Sequence, residues 1–307
     1  MAPETITFLL TPNGKYAQHA AALVASLLEH SQAPLEIMIA ATEDPESFAD
    51  RFRRSFGANE RISLAFKQFR LPPDVNFPTT DKLSTEMYIR FWAHELLPGR
   101  SRVIYLDSDI IAIGGVDELW HTDLGGKALA AVPIPNSIRI EQHGLPPGSQ
   151  YFNSGVLLMD LDAWRARGYC ARCLEFIRNH PDRAFDPDQD ALNLVLIGDW
   201  LALPYKWNVI NPFYRPSISL DLKMSKEEIA GVLADARFVH FNSSHKPWVY
   251  LDNHPKQGEY MRYLRQTDWR DWQPPDRTPV NMVRKQLSRV LPPWVKQAGK
   301  ALLKRAG

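Results

Sequence analysis

Three short apolar runs, separated by two stretches of helical periodicity, open the chain and constrain its fold more than any other feature. TITFLL (Thr5 to Leu10), LEIMIAA (Leu35 to Ala41) and RISLAF (Arg61 to Phe66) read as buried strands. Between the first two, Ala20, Leu23, Leu27 and Leu28 recur at helical spacing. Between the second and third, Asp44 suits an N-cap and Pro45 the first helical position. Such a β-α-β-α-β start requires a parallel sheet with helices on its faces, an α/β fold whose ligands bind beyond the carboxyl ends of the strands. The 307 residues suffice for one large domain or two small ones.

The rest of the chain continues the pattern. STEMYIRFWAHELLP (Ser84 to Pro98) is expected to be helical, SRVIYLDSDIIAIGG to be one central strand, and KALAAVPIP another strand. NSIRIEQHGLPPGSQ reads as a long loop with a function. YFNSGVLLMD is a strand leading into one long helix, DPDQDALNLVLIGD opens another helix, and ARFVHFNSSHKPW is a late strand running into a polar loop. Cys170 and Cys173 lie within a helical pattern with no second Cys pair, so they read as ordinary helix cysteines of a reducing compartment. No stretch approaches ~18 uninterrupted apolar residues, and the N-terminus lacks a basic region and a cleavage pattern. A cytoplasmic location is the expectation.

Chemistry concentrates in four places. RVIYLDSDIIAI sets Asp107 and Asp109 inside an apolar run, where unpaired carboxylates cost several kcal/mol. On a strand, residues i and i+2 share a face, so both carboxylates would converge on a divalent cation, Mg²⁺ or Mn²⁺. The bland alternative is a strand end whose Asp residues cap a loop. His240, after a strand pattern, offers a third ligand, Lys246 a charge for phosphate, and Ser243 and Ser244 a small polar loop. Alone, His240 would read as a satisfied core histidine. Arg90 sits mid-helix among apolar neighbours, able to reach an anionic ligand or to form an ordinary ion pair. Asp188, Gln189 and Asp190 exceed what capping one helix needs, and Asn153 and Ser154 stand beside Gly155 at a strand start.

In this order, YLDSD, FNSGVLLMDLDAW, DQDALN and HFNSSHKPW resemble glycosyltransferase family 8, especially the bacterial lipopolysaccharide α-galactosyl- and α-glucosyltransferases. The resemblance covers roughly Ile6 to Trp248. It implies a GT-A fold, Rossmann-like, with a mixed, mainly parallel central sheet flanked by helices. It also implies transfer of galactose or glucose from a UDP-hexose to a saccharide or glycolipid acceptor, with retention and with Mn²⁺ stabilising the leaving diphosphate. Residue by residue, Asp107, Asp109 and His240 match metal ligands, and Lys246 matches the lysine that holds the β-phosphate. Arg90 matches a donor-contacting arginine. Asn153, Asp188 and Gln189 match positions lining the donor sugar and reaction centre. Gln189 and Asp190 are the candidates to face the developing oxocarbenium ion.

Three departures stand out. The turn after the first strand, TPNGKY, lacks the acid with which relatives read the nucleobase, leaving Thr11 or Asn13 to substitute. Pro133 stands about where relatives place an Asp near the sugar, and Ser243 where many have Gly. The catalytic domain is expected to span 1–263, its N-terminal half binding the donor and its C-terminal half the acceptor. Residues 264–307 would form a basic amphipathic tail: from Arg277 onward there are eight Lys or Arg residues and no Asp or Glu. With Val290, Leu291, Trp294, Leu302 and Leu303, that tail suits the anionic inner face of the cytoplasmic membrane. No nucleic-acid partner is expected. The rival readings are a phosphohydrolase of the haloacid dehalogenase type, whose Asp motif belongs on the first strand, and a non-catalytic nucleotide-sugar-binding module.

Overall fold

A computed structural model of the chain describes residues 4–79, 84–180, 185–215, 221–244 and 246–290, with side chains to 287. The opening is as expected: β1 (Ile6–Leu10), α1 (Ala17–His30), β2 (Leu35–Ala41), α2 (Glu46–Phe56) and β3 (Ile62–Gln68). Asp44 sits two residues ahead of α2, and its carboxylate accepts from the Glu46 amide at 3.0 Å. Every residue of α1 from Ala17 to Leu27 is buried, because the helix packs against strands on one side and helix Gln257–Leu264 on the other.

A seven-stranded sheet follows the order β3-β2-β1-β4-β7-β6-β8. Here β4 is Arg102–Leu106, β6 Leu129–Pro133, β7 Phe152–Asp160 and β8 Trp200–Ala202. β3, β2, β1 and β4 run parallel, β7 is antiparallel to both its neighbours, and β8 is parallel to β6. The sheet is mixed, mainly parallel and helix-flanked, as expected.

The expected single central strand is two strands in different sheets. After β4 the chain turns through Asp107 to Asp109, and β5 (Ile110–Ala112) joins a three-stranded sheet in the order β5-β10-β9, with β9 at Val209–Ile210 and β10 at Phe238–His240. The two Asp residues therefore occupy a turn, and the i, i+2 rule for strands does not explain their convergence. Pairing explains it. The Asp107 amide donates to Gly155 O (2.9 Å) in β7, and the Phe241 amide donates to Asp109 O (2.9 Å). The register of β6 on β7 slips between Ala131 and Val132, which leaves Ser154, Gly155 and Val156 free of β6 partners beside that turn.

Other elements are finer than the sequence suggested. Thr85–Trp92 is a 3₁₀ helix, followed by a short α-helix, Ala93–Leu96. The long helix after β7 is two, Leu161–Ala166 and Tyr169–Asn179, broken at Gly168 with φ +64. Cys170 and Cys173 are free and buried in the second, and burial pushes the Cys170 thiol up to about 12. The suspected loop carries a short helix, Arg139–Gln142. The packed body runs past the boundary expected at Tyr263: Trp269 is buried against Phe52 (5.2 Å between rings), and Asp268 pairs with Arg51 (3.0 Å). A last helix, Pro279–Val290, follows. His245, Leu291, Trp294, Leu302 and Leu303 lie outside the described residues.

Candidate active site

A cleft of about 690 Å³ opens at the carboxyl ends of β1, β4 and β10. Thr11, Asn13, Arg90, Asp107, Asp109, Asn153, Ser154, Asp188, Gln189, His240 and Lys246, all singled out from the sequence, form its walls.

At the centre, one ligand atom from each of Asp107, Asp109 and His240 lies within 4.8 Å of the others. His240 Nε2 is 3.2 Å from Asp109 Oδ1 and 3.7 Å from Asp107 Oδ2. Its Nδ1 donates to Asn208 Oδ1 at 3.0 Å, which orients the ring so that Nε2 faces the carboxylates. Two carboxylates and an imidazole held in a fixed orientation are a donor set that fits a divalent cation. Burial would raise the Asp109 carboxyl, but Lys246 and His240 outweigh it and hold it below the usual range. Lys246 pairs with Asp109 and donates to Phe241 O (2.6 Å).

Space at the triad depends on Gly155. A Cβ there would lie 2.3 Å from His240 Cε1 and 2.9 Å from Asp107 Oδ2, closer than real Cβ contacts. The glycine is required for close approach rather than for a turn.

Arg90 is only 3% exposed and braces the site from below. Its Nη1 donates to Ser154 O (2.6 Å) and its Nη2 to Asp107 Oδ1 (2.9 Å), with Asp188 Oδ2 at 3.4 Å. Its guanidinium lies 4.2 Å over the Tyr105 ring. Burial lifts the Asp188 carboxyl to about 6 although Arg90 pulls it down.

Gln189 Oε1 accepts from Asn153 Nδ2 (3.1 Å) and from the Ser154 amide (3.0 Å). Asn208 Nδ2 in turn donates to Asn153 Oδ1 (2.8 Å). One chain of hydrogen bonds thus joins His240 to Gln189. Asp190, expected beside Gln189 at the reacting carbon, is turned away. It is fully buried and accepts from Tyr151 (2.5 Å), His143 (2.7 Å) and the Asp186 amide (2.9 Å). Residues two apart on an α-helix point ~200° apart, so Asp188 and Asp190 cannot share a face.

Thr11 Oγ1 is 3.1 Å from the Tyr105 hydroxyl, which donates to Asp107 Oδ1 (2.8 Å). Asn13 Oδ1 accepts from the Tyr16 amide (3.1 Å). Ser243, expected in a phosphate loop, accepts from Asn211 Nδ2 (2.6 Å), and its neighbour Asn242 forms part of the cleft wall. Pro133 ends β6, and Ile134 beside it lines the cleft. The sequence reading missed Tyr16, Glu86, Tyr105, Asn208 and Asn242. A tyrosine five residues beyond Thr11, in the loop after β1, was the one available signal.

A family model described as Glycosyl transferase family 8 matches residues 7–252. The chain belongs to that family. It is a glycosyltransferase, and neither the phosphohydrolase nor the non-catalytic reading is favoured. General stress protein A of Bacillus subtilis (strain 168) is 26% identical over 83% of this chain and 91% of its own length. The lipopolysaccharide 1,2-glucosyltransferase of Escherichia coli (strain K12) is 28% identical over 70% of this chain and 64% of its own. The lipopolysaccharide 1,3-galactosyltransferase of Salmonella typhimurium is 25% identical over 63% and 58%. The chain therefore spans less than two thirds of either lipopolysaccharide enzyme. A solved structure of the galactosyltransferase LgtC with donor and acceptor sugar analogues superposes with a TM-score of 0.70, covering 87% of this family 8 chain and 99% of that one at 20% identity. The likeness establishes the GT-A fold of the family 8 enzyme.

Proposed function

We propose that this glycosyltransferase moves a hexose, galactose or glucose, from a UDP-sugar to a saccharide or glycolipid acceptor in lipopolysaccharide or other cell-surface glycan synthesis, retaining the anomeric configuration. One observation carries the reading. The Asp107–Asp109–His240 triad and Lys246 share a cleft with Asp188 and Gln189, so charge for a diphosphate lies beside acceptors for a sugar.

The residues divide the work. Bound to Asp107, Asp109 and His240, Mn²⁺ (or Mg²⁺) would supply positive charge against the growing negative charge of the departing diphosphate. Lys246 adds a point charge on the same side. Arg90 holds Asp107 and Asp188 at fixed positions, so the metal end and the sugar end move as one body. Asp188 accepts hydrogen bonds from donor-sugar hydroxyls. Asn153 and the Ser154 amide fix the Gln189 side chain against the anomeric carbon. The test is a panel of UDP-sugars with Mn²⁺, scored for UDP release. One or two hexoses should release UDP, and EDTA should stop it. No release from any member would overturn the reading.

A second proposal concerns location. Helix Pro279–Val290 exposes Val280 (67%), Val283 (55%) and Leu287 (47%), and no Asp or Glu follows Asp276. An apolar stripe in a basic stretch supports attachment to an anionic membrane surface on the cytoplasmic side. Among the described residues no helix is long and apolar enough to cross a membrane. The full chain should sediment with phosphatidylglycerol vesicles, and a Val283→Glu/Leu287→Glu variant should not. Equal sedimentation would remove the proposal.

A further inference from the structure

Glu86 is a cleft-wall carboxylate that the division of work above leaves unused. It begins the 3₁₀ helix that ends near Arg90, is only 6% exposed, and faces the cleft with Ser84 and Met87. Among the described residues its side-chain partner is the hydroxyl of Thr42, which donates to Oε1. A carboxylate is an acceptor with about four lone-pair sites, and a buried one with a single donor is costly.

Its position says what could complete it. Thr42 directly follows β2, which lies on the opposite side of β1 from β4. Arg90, four residues on and ~8 Å along a 3₁₀ axis, meets Asp107 just after β4. The helix therefore spans the cleft from the diphosphate end to the ends of β1 and β2. With a diphosphate at the triad and the sugar toward Asp188 and Gln189, the nucleoside would lie along this helix toward Glu86. Thr11 and Asn13 line the same cleft, but each is neutral and already makes one side-chain hydrogen bond, so Glu86 is the anionic acceptor at this end.

We infer that Glu86 sets nucleobase specificity, its carboxylate accepting the N3–H of uracil. The inference rests on the nucleotide-sugar reading proposed above. Cytosine carries a lone pair at N3 and would face the carboxylate acceptor to acceptor. UDP and CDP differ only along that edge, which makes them the natural probes.

Equilibrium binding of UDP and CDP in Mn²⁺ to the full chain tests this. The unaltered protein should favour UDP by about 10- to 100-fold, the range of a hydrogen bond to a charged group. Glu86→Ala should weaken UDP at least tenfold and leave CDP unchanged, so the preference collapses. The isosteric Glu86→Gln keeps the packing and carries the test if the alanine variant fails to fold. Its amide can donate to cytosine N3, so the preference should fall toward one or reverse. Mn²⁺ affinity should be unchanged in both variants. A UDP preference retained by a folded variant overturns the role of Glu86 alone. Failure of the unaltered protein to bind either nucleotide overturns the nucleotide-sugar reading, and this role with it.

Discussion

The two ends of the cleft are built differently. Around the triad and the sugar-facing residues, side chains hold one another: His240 by Asn208, Asp107 by Arg90 and Tyr105, Gln189 by Asn153. At the other end Thr11, Asn13 and Glu86 each have one side-chain hydrogen bond. The contrast follows from the tasks. Stabilising a charge that develops during bond cleavage requires groups fixed beforehand, since reorganisation would raise the barrier. Reading a base requires only a few well-placed acceptors, because binding can be completed by the ligand itself.

Substitutions at the braced end should be the most damaging. Asp109→Asn removes a charged ligand of the triad and should lower UDP-sugar turnover at least ~1,000-fold, about 4 kcal/mol of barrier. Near-normal Mn²⁺-dependent turnover would break the comparison at its root. Gly155→Ala forces His240 or Asp107 to move, because the new methyl overlaps the imidazole. Loss of most Mn²⁺ affinity is expected, with about 1–3 kcal/mol of destabilisation in urea unfolding. Asn208→Leu keeps the number of side-chain heavy atoms but removes both the acceptor for His240 and the donor to Asn153. It should weaken Mn²⁺ binding by about 10- to 100-fold, read by electron paramagnetic resonance without donor.

Asp188 sharpens the comparison through stability. Its carboxyl titrates near 6 in the folded chain instead of the ordinary 3.8. The folded state therefore holds the proton more tightly, and stability falls as pH rises from about 4 to 6. In EDTA, Asp188→Asn should melt at a higher temperature than the unaltered protein above pH 6, and the gap should narrow toward pH 4. A constant gap would mean that the braced end carries no such strain. At the sparse end, Thr11→Val should do least. One neutral hydrogen bond is worth about 0.5–1.5 kcal/mol, so UDP-sugar KM should rise less than about tenfold with kcat unchanged.

How much of this was legible follows from the range of each signal. β1, α1, β2, α2 and β3 were readable because periodicity is local. RVIYLDSDIIAI was misread as one strand because both flanks of the Asp pair are apolar. Only pairing with β7 and β10 assigns them to separate sheets. Most site residues were readable because acids, amides and a lysine in apolar surroundings stand out. Asn208 was not, since KWNVI is unremarkable until β9 lies beside β10 and brings it to His240. Gly155 carried no local signal of its role, because its real constraint is a contact with His240, a residue remote in sequence. Asp190 was grouped with Asp188 by adjacency, which helical geometry undoes. The packed body was ended too early because Trp269 sits in a stretch whose Pro and charge content resembles a tail.

The turn from Asp107 to Asp109 is also where the chain leaves one sheet for the other. The triad can exist only after the large sheet has formed, the small sheet has formed, and β10 has docked on β5 in the one register that sets His240 opposite Ile110. A shift of one residue would turn the imidazole to the other face. Such distant contacts form late in folding. Capacity to hold a divalent cation thus marks a finished molecule: during refolding, cation capture should lag recovery of helical circular dichroism.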